Sequence, residues 1–404
     1  MLSKFHLSSR SLRLIPFLLG AMYGGNALAD ISDTLHPFIS TVYTYDDNLL
    51  RLPDNFPAVF GPRADRATQV QGGITFDRPI GRQRLTGAAK LSRVTFDHYD
   101  ALNYNGKDFN ADLAWQLGNH LEGNLGGSYS QTLTPFTDFH TDDRNLRKQR
   151  REYFNGAWRF HPSWRVRGAF NRFEFEYELP AQRFNDRTED TTEAGVDYLA
   201  RSGSRIGLVA RQIKGKYDNR RTVGGSLLDD DYTQDEIKAN VYWTVSGVTT
   251  VQVLAGYAKR KQNGLGARET SGANGRVTVD WRPFGKLRFK GEGWREFAAV
   301  ESNIVANSFN KGASLNATWD VSAKVQATAG VRRERRDFEK VSGVTLAGDP
   351  TDTTRGTTLG VQYLPLRNLQ VGATAFSDRR SGSPFLGTGS YRAKGVSLNA
   401  SVQF

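Results

Sequence analysis

The chain has 404 residues, a formal net charge of +12 and no cysteine, with 24 phenylalanines, 15 tyrosines and seven tryptophans. That length would hold two or three soluble domains or one large barrel. Beyond the first thirty or so residues no stretch approaches the roughly 18 to 20 consecutive apolar residues of a spanning helix, which excludes a helical membrane protein. The lack of cysteine excludes a disulfide framework but leaves the compartment open.

In chain order, Lys4, Arg10 and Arg13 precede an apolar run from Leu14 to Met22, and Ala27-Leu28-Ala29 offers a small-residue cleavage site. Residues 1–29 are therefore expected to be a cleaved signal peptide, and 30–404 one mature domain. From there the dominant pattern has period two. Phe109, Ala111, Leu113, Trp115 and Leu117 alternate with Asn110, Asp112, Ala114 and Gln116, as in a strand with one apolar and one polar face. The next segment repeats it with Leu121, Gly123, Leu125, Gly127 and Tyr129, and only Gly118 to His120 separates the two. Later pairs are Ile237 to Trp243 followed by Val251 to Tyr257, and Leu315 to Trp319 followed by Val325 to Val331.

Short joints recur at Arg78–Arg82, Gly118–His120, His161–Ser163, Arg201–Ser204, Ser246–Val248, Arg282–Gly285, Asp320–Ser322 and Pro365–Asn368. Longer polar connections alternate with them, including Asp46–Arg66, Thr132–Arg150, Lys216–Tyr232, Arg260–Ser271 and Arg336–Asp352. Tight turns on one side and long loops on the other predict an all-β fold: a single antiparallel up-and-down transmembrane barrel of about 18 strands, both termini periplasmic. Trp115, Trp158, Trp164, Trp243, Trp281 and Trp319 all fall near a short joint, as a periplasmic aromatic girdle requires, whereas Trp294 does not. The last segment alternates Val396, Leu398, Ala400 and Val402 with polar residues and stops on Phe404. That pattern resembles the signal read by the outer-membrane assembly machinery, and it places the chain in the bacterial outer membrane among its lipids.

Positions between the apolar ones define the inner wall, where cations outnumber acids in this reading. Lys90, Arg165, Arg167, Lys238, Lys286, Arg288, Lys290 and Lys324 are the candidates for a substrate pathway along a net-basic, water-filled lumen. A positive wall concentrates anions through a screened, long-range field; the bland alternative is that these groups pair with inward acids and fill the barrel. Nucleic acid is a poor explanation of the basic charge for an exported barrel. No catalytic set, metal site or cofactor emerges: His98 and Asp100 with Asp46 and Asp47 would imitate a protease site at the loop tops, but sequence proximity gives no geometry. The acids at Asp142–Asp143 and Asp229–Asp231 lack a turn-fixing calcium pattern.

The segment from Pro37 to Leu52, chiefly Tyr45-Asp46-Asp47-Asn48-Leu49-Leu50-Arg51-Leu52, resembles the start of the EpsL-type outer-membrane barrels encoded with exosortase-associated exopolysaccharide operons. The resemblance implies a channel exporting an exopolysaccharide, an acidic one being favoured by a basic wall, with periplasmic export components as partners and no catalytic residues. The competing function is a general or anion-preferring diffusion porin. Read from the residues alone, Tyr45 to Leu52 is a strand end turning into a loop, where aspartates and asparagine satisfy the backbone.

Overall fold

The computed structural model describes residues 34–54, 61–223, 226–263, 268–300, 307–338, 351–382 and 389–404. The expected signal segment, 1–29, lies outside them. The first strands are β1 (Leu35–Asp46), β2 (Asp65–Ile80), β3 (Gln83–Phe96), β4 (Tyr104–Leu117), β5 (Leu121–Leu133), β6 (Leu146–His161), β7 (Trp164–Tyr177), β8 (Arg187–Leu199) and β9 (Arg205–Tyr217). A two-stranded ribbon, β10 (Arg221–Val223) and β11 (Ser226–Leu228), follows in the next connection. The rest are β12 (Tyr232–Ser246), β13 (Thr249–Gln262), β14 (Arg268–Phe284), β15 (Leu287–Ala299), β16 (Asn307–Asp320), β17 (Val325–Phe338), β18 (Thr351–Tyr363), β19 (Leu369–Ser381) and β20 (Tyr391–Gln403).

Apart from the ribbon, these strands form one 18-stranded antiparallel sheet in which each pairs with its chain neighbours, β9 with β12, and β20 back onto β1. Closure removes the edges, so backbone polar groups find partners without water, as a lipid-embedded sheet requires. Eighteen strands about 4.8 Å apart and tilted by about 40° enclose a backbone cylinder roughly 35 Å across. All eight expected short joints are turns between consecutive strands, and both ends of the sheet, at Leu35 and Gln403, lie on that side. Gly81 and Gly118 turn the chain there with φ of 61° and 58°, in the left-handed region that side chains disfavour.

Register follows from the alternation. Leu113 faces Leu125, Leu125 faces Phe154 and Phe154 faces Phe170 across four successive strands, one apolar row on the outer surface. A slip of one residue would turn the whole row into the lumen. Trp158, Trp164, Trp243, Trp281 and Trp319 are exposed on this outer face beside short turns, several against a second ring: Trp164 on Tyr198 at 5.3 Å, Trp281 on Phe289 at 5.3 Å, Trp158 on Phe160 at 5.8 Å. Trp115 lies against Gly123 instead, where an added Cβ would strike its indole and the Asn155 carbonyl, and its ring reaches van der Waals contact with the position above Gly156.

The strands run further than the sequence pattern suggests. The connection expected at Thr132–Arg150 spans only 134–145, and that at Arg260–Ser271 only 263–267. In these extensions the outward side chains are charged and paired across strands, as in Lys148–Glu176 and Arg150–Glu174 at 3.2 Å each and Lys259–Glu269 at 2.6 Å. The sheet therefore continues above its apolar belt into water, where the apolar/polar alternation that marks a strand in the sequence is lost.

Candidate functional site

The inner wall carries two unlike halves. On β16, β18, β19 and β20 it is lined by small neutral groups such as Asn316, Thr358, Thr374 and Asn399. On β7, β8, β9 and β12 it carries a ladder of alternating charge. Both Nε and Nη2 of Arg165 donate to Asp197 at 3.0 Å, and its third nitrogen lies 3.3 Å from Glu122. Arg167 stands 3.3 Å from Asp197, Arg211 joins Glu193 at 2.5 Å and Glu236 at 3.3 Å, and Lys238 meets Glu236 at 2.8 Å. Asp197 is fully buried and the side chains of Arg165 and Lys238 are only 4% and 3% exposed.

In these placements several cations of the net-basic wall are paired with inward acids. Arg165, Arg167 and Lys238 are buried ion-pair members, and cross-strand neighbours, which a one-dimensional pattern does not reveal, supply the acids. Lys90 is paired too, 3.3 Å from Asp108. Lys290 meets Glu292 at 2.7 Å but, like Arg288 on the same strand, stays exposed to the lumen. Lys286 and Lys324 are not on the wall at all: both sit exposed in short turns, Lys324 donating to the Pro365 carbonyl at 3.3 Å. A wall of matched charges projects a weaker field than the sequence count of cations implies.

A second charged cluster surrounds Trp294, which faces inward on β15. The guanidinium carbons of Arg276 and Arg332 lie 5.4 and 4.3 Å from its ring centre, and its Nε1 donates to Glu334 at 2.8 Å. This explains why it stands apart from the other tryptophans in sequence: it is a lumen anchor between two cations.

Over the long-loop mouth, three consecutive connections merge into a lid. Leu50 and Leu52 after β1, Tyr99 and Leu102 after β3, and Phe136 after β5 form a buried apolar cluster. The segment Tyr45 to Leu52 is the root of this lid. Asn48, 1% exposed, donates from Nδ2 to the Leu52 and Arg392 carbonyls at 2.8 Å each and accepts from the Leu52 N–H at 2.8 Å. Arg51, with φ of 58°, donates to Asp46 at 2.9 Å. The Asp46 carboxylate is thus held by Arg51, while His98 pairs with Asp65 at 3.0 Å; different partners hold the two groups considered for a loop-top protease site.

The lid is tied to the far wall through residues the sequence reading did not single out. Asp138, on the 134–145 connection, accepts from Arg336 at 2.9 and 2.7 Å and from Arg380 at 2.8 Å. Arg336 is held in turn by Asp352 on β18. Between β5 and β17 lie seven strands on the shorter way round, β18 to β20 and β1 to β4, so the tie crosses the mouth. His140 completes it: Nδ1 donates to the Leu50 carbonyl at 2.9 Å and Nε2 accepts from Arg380 at 3.4 Å. Burial, and after it the Arg380 cation, hold its pKa below the ordinary 6.5 against the pull of Asp138, so the ring is neutral at neutral pH. The hints in the sequence are two aromatics and a histidine, Phe136, Phe139 and His140, within a largely polar connection.

No protein-family model matches the chain, and no curated protein matches it in sequence. Among solved structures it is similar to the outer membrane protein OpdK of Pseudomonas aeruginosa, 14% identical over 92% of this chain and 99% of that one, TM-score 0.48. It is also similar to OccAB3 of Acinetobacter baumannii, 11% identical over 92% and 99%, TM-score 0.47. A third is the alcaligin outer membrane receptor FauA of Bordetella pertussis, 12% identical over 92% and 76%, TM-score 0.43. What places this chain is its own construction, a closed 18-stranded barrel with an outward apolar belt, exposed tryptophans beside the short turns and a polar, charged lumen. The chain is an outer-membrane β-barrel. Of the polar groups inside it, the charge ladder lines one wall, and Asp138 joins the 134–145 connection to Arg336 and Arg380.

Proposed function

We propose that the chain is a diffusion channel for small hydrophilic solutes, its mouth narrowed by the lid. The observation that carries this reading is the tie from Asp138 to Arg336 and Arg380: a loop anchored on the opposite wall divides a wide bore into a narrower passage. The short turns and both ends of the sheet face the periplasm in this reading, and assembly reads the terminal Phe404. Arg288 and Lys290, exposed in the short-turn half of the lumen, supply a mild preference for anions. Reconstitution alone in planar bilayers and liposomes tests it. Steady conductance and swelling in small sugars or amino acids are expected without any other protein, and closed liposomes would overturn it.

The resemblance of Tyr45 to Leu52 to the EpsL-type barrels supports a second reading, export of an exopolysaccharide delivered by periplasmic components. Those residues root the lid, so the likeness bears on how the mouth is built. Deleting the chain discriminates the two. Loss of surface polysaccharide favours export, whereas unchanged polymer with altered solute uptake favours the diffusion channel.

A further inference from the structure

On the outer face of β17 to β20 the registers place Arg333 opposite Arg355, Arg355 opposite Arg379, and Arg379 opposite Arg392. Four exposed arginines thus stand side by side on four adjacent strands. Arg335, Lys311 and Arg295 continue the row across β17, β16 and β15. Like charges directly opposite in a sheet destabilise it unless something neutralises them. At the ends of the row acids do so: Asp337 meets Lys311 at 3.1 Å and Arg335 at 2.8 Å, and Asp54 meets Arg392 at 3.3 Å. Among the described residues Arg333, Arg355 and Arg379 have no acid partner. Elsewhere on the circumference several outward cations do have acids, as in Lys148–Glu176, Arg150–Glu174 and Arg172–Asp190.

The height of the row gives the gap a meaning. Val331 lies directly below Arg333, and Leu359 and Val396 follow one outward position beyond Thr357 and Lys394; all three belong to the exposed apolar belt, so the guanidinium groups sit just above the end of the hydrocarbon, at headgroup level. A guanidinium at that level lays its stem on apolar surface and presents its planar fork to the headgroup layer. Forks of this kind bind phosphate oxygens in pairs of hydrogen bonds.

We infer that the Arg333, Arg355 and Arg379 row is a binding site for the phosphate groups of a glycolipid headgroup in the leaflet on the long-loop side. That leaflet is the outer one in the orientation proposed above. Neighbouring strands are about 4.8 Å apart, so three forks span about 10 Å, enough for two phosphates on one headgroup or on adjoining ones. The lipid supplies the counter-charge that the described residues do not place beside these three arginines.

The test uses the folded barrel in detergent, with phosphorylated lipid A and the same lipid stripped of its phosphates as probes, read by native mass spectrometry. The phosphorylated form is expected to bind at least about tenfold more tightly. Replacing the row by Arg333→Gln, Arg355→Gln and Arg379→Gln together should remove that difference, while Lys148→Gln, Arg150→Gln and Arg172→Gln together should preserve it. Equal binding of the stripped lipid, or an equal loss in the second triple variant, overturns the site. Folding is checked by heat-modifiable gel mobility. Should the first triple variant not fold, Arg355→Gln alone is expected to weaken binding about threefold, and unchanged binding there overturns the site as well.

Discussion

Asp138, between β5 and β6, and Arg336, on β17, hold each other through two hydrogen bonds of 2.9 and 2.7 Å from nearly opposite sides of the barrel. No backbone pairing brings them together. The contact exists because three connections bury Leu50, Leu52, Tyr99, Leu102 and Phe136 as one apolar body, which carries Asp138 across the mouth.

Cutting that tie should open the channel. Asp138→Ala leaves Arg336 with Asp352 but removes the carboxylate that Arg380 shares. Charge-assisted bonds of this kind contribute about 2 kcal/mol, a roughly 30-fold shift toward the open lid. Single-channel recordings should show larger or longer openings with unchanged heat-modifiable mobility. A conductance trace identical to the parent would rule out a closing role for Asp138.

Acid should loosen the same tie. The folded pKa of His140 lies below 6.5, so above pH 6.5 the closed lid has its full stability. As pH falls from there toward the lowered folded value, the open form binds more protons and closure weakens, levelling off below that value. Conductance is expected to rise as pH drops below about 6.5, and His140→Gln should abolish the step. A pH response that survives in that variant must come from another group.

The two parts of the basic lumen should answer charge reversal differently. Arg165→Glu would set a third acid beside buried Asp197 and the part-exposed Glu122, at a cost of about 3 to 5 kcal/mol, and should reduce the yield of folded barrel. Arg288→Glu with Lys290→Glu changes exposed groups, so the barrel should fold and lose anion preference in reversal-potential measurements. If instead the Arg165 variant folded normally, the ladder would not be bracing the wall.

Tryptophan fluorescence separates the outer face from the inner. Variants retaining only Trp158, Trp243, Trp281 or Trp319 should be quenched by shallow lipid-borne quenchers, because these rings are exposed outward beside the short turns. One retaining only Trp294 should resist them, since that ring is buried between Arg276 and Arg332 inside the lumen. Lipid quenching of Trp294 would mean that β15 is turned inside out.

The strands and their faces were legible in the sequence because alternation is a local property: Phe109 to Leu117 and Leu121 to Tyr129 state their own outward set, and the eight short joints count the hairpins. The charge pattern was less so. Alternation tells that Arg165 and Asp197 both point inward but not that they lie side by side on neighbouring strands, so it left open whether the cations stand free or are paired. Hardest to see were the lid and its tie, because a connection without periodicity gives no direction. Asp138 finds Arg380, 242 positions away in the chain, only once the ring has closed.

The pairing of β1 with β20 also marks where the ring must close. Every other pairing in the barrel joins strands that follow one another in chain order around the sheet, so this seam joins the first strand of the barrel to its last. β1 cannot complete its bonding until β20 arrives, when nine residue pairs from Phe38–Gln403 to Asp46–Gly395 zip the seam and Phe404 donates its N–H to the Pro37 carbonyl. For that whole interval Ile39, Thr41 and Tyr43 lie along an unprotected edge, the sort that recruits the wrong strand from another molecule. An escort that masks this edge, and hands it over only when the last strand is ready, would shape the yield of this barrel more than the stability of the finished one.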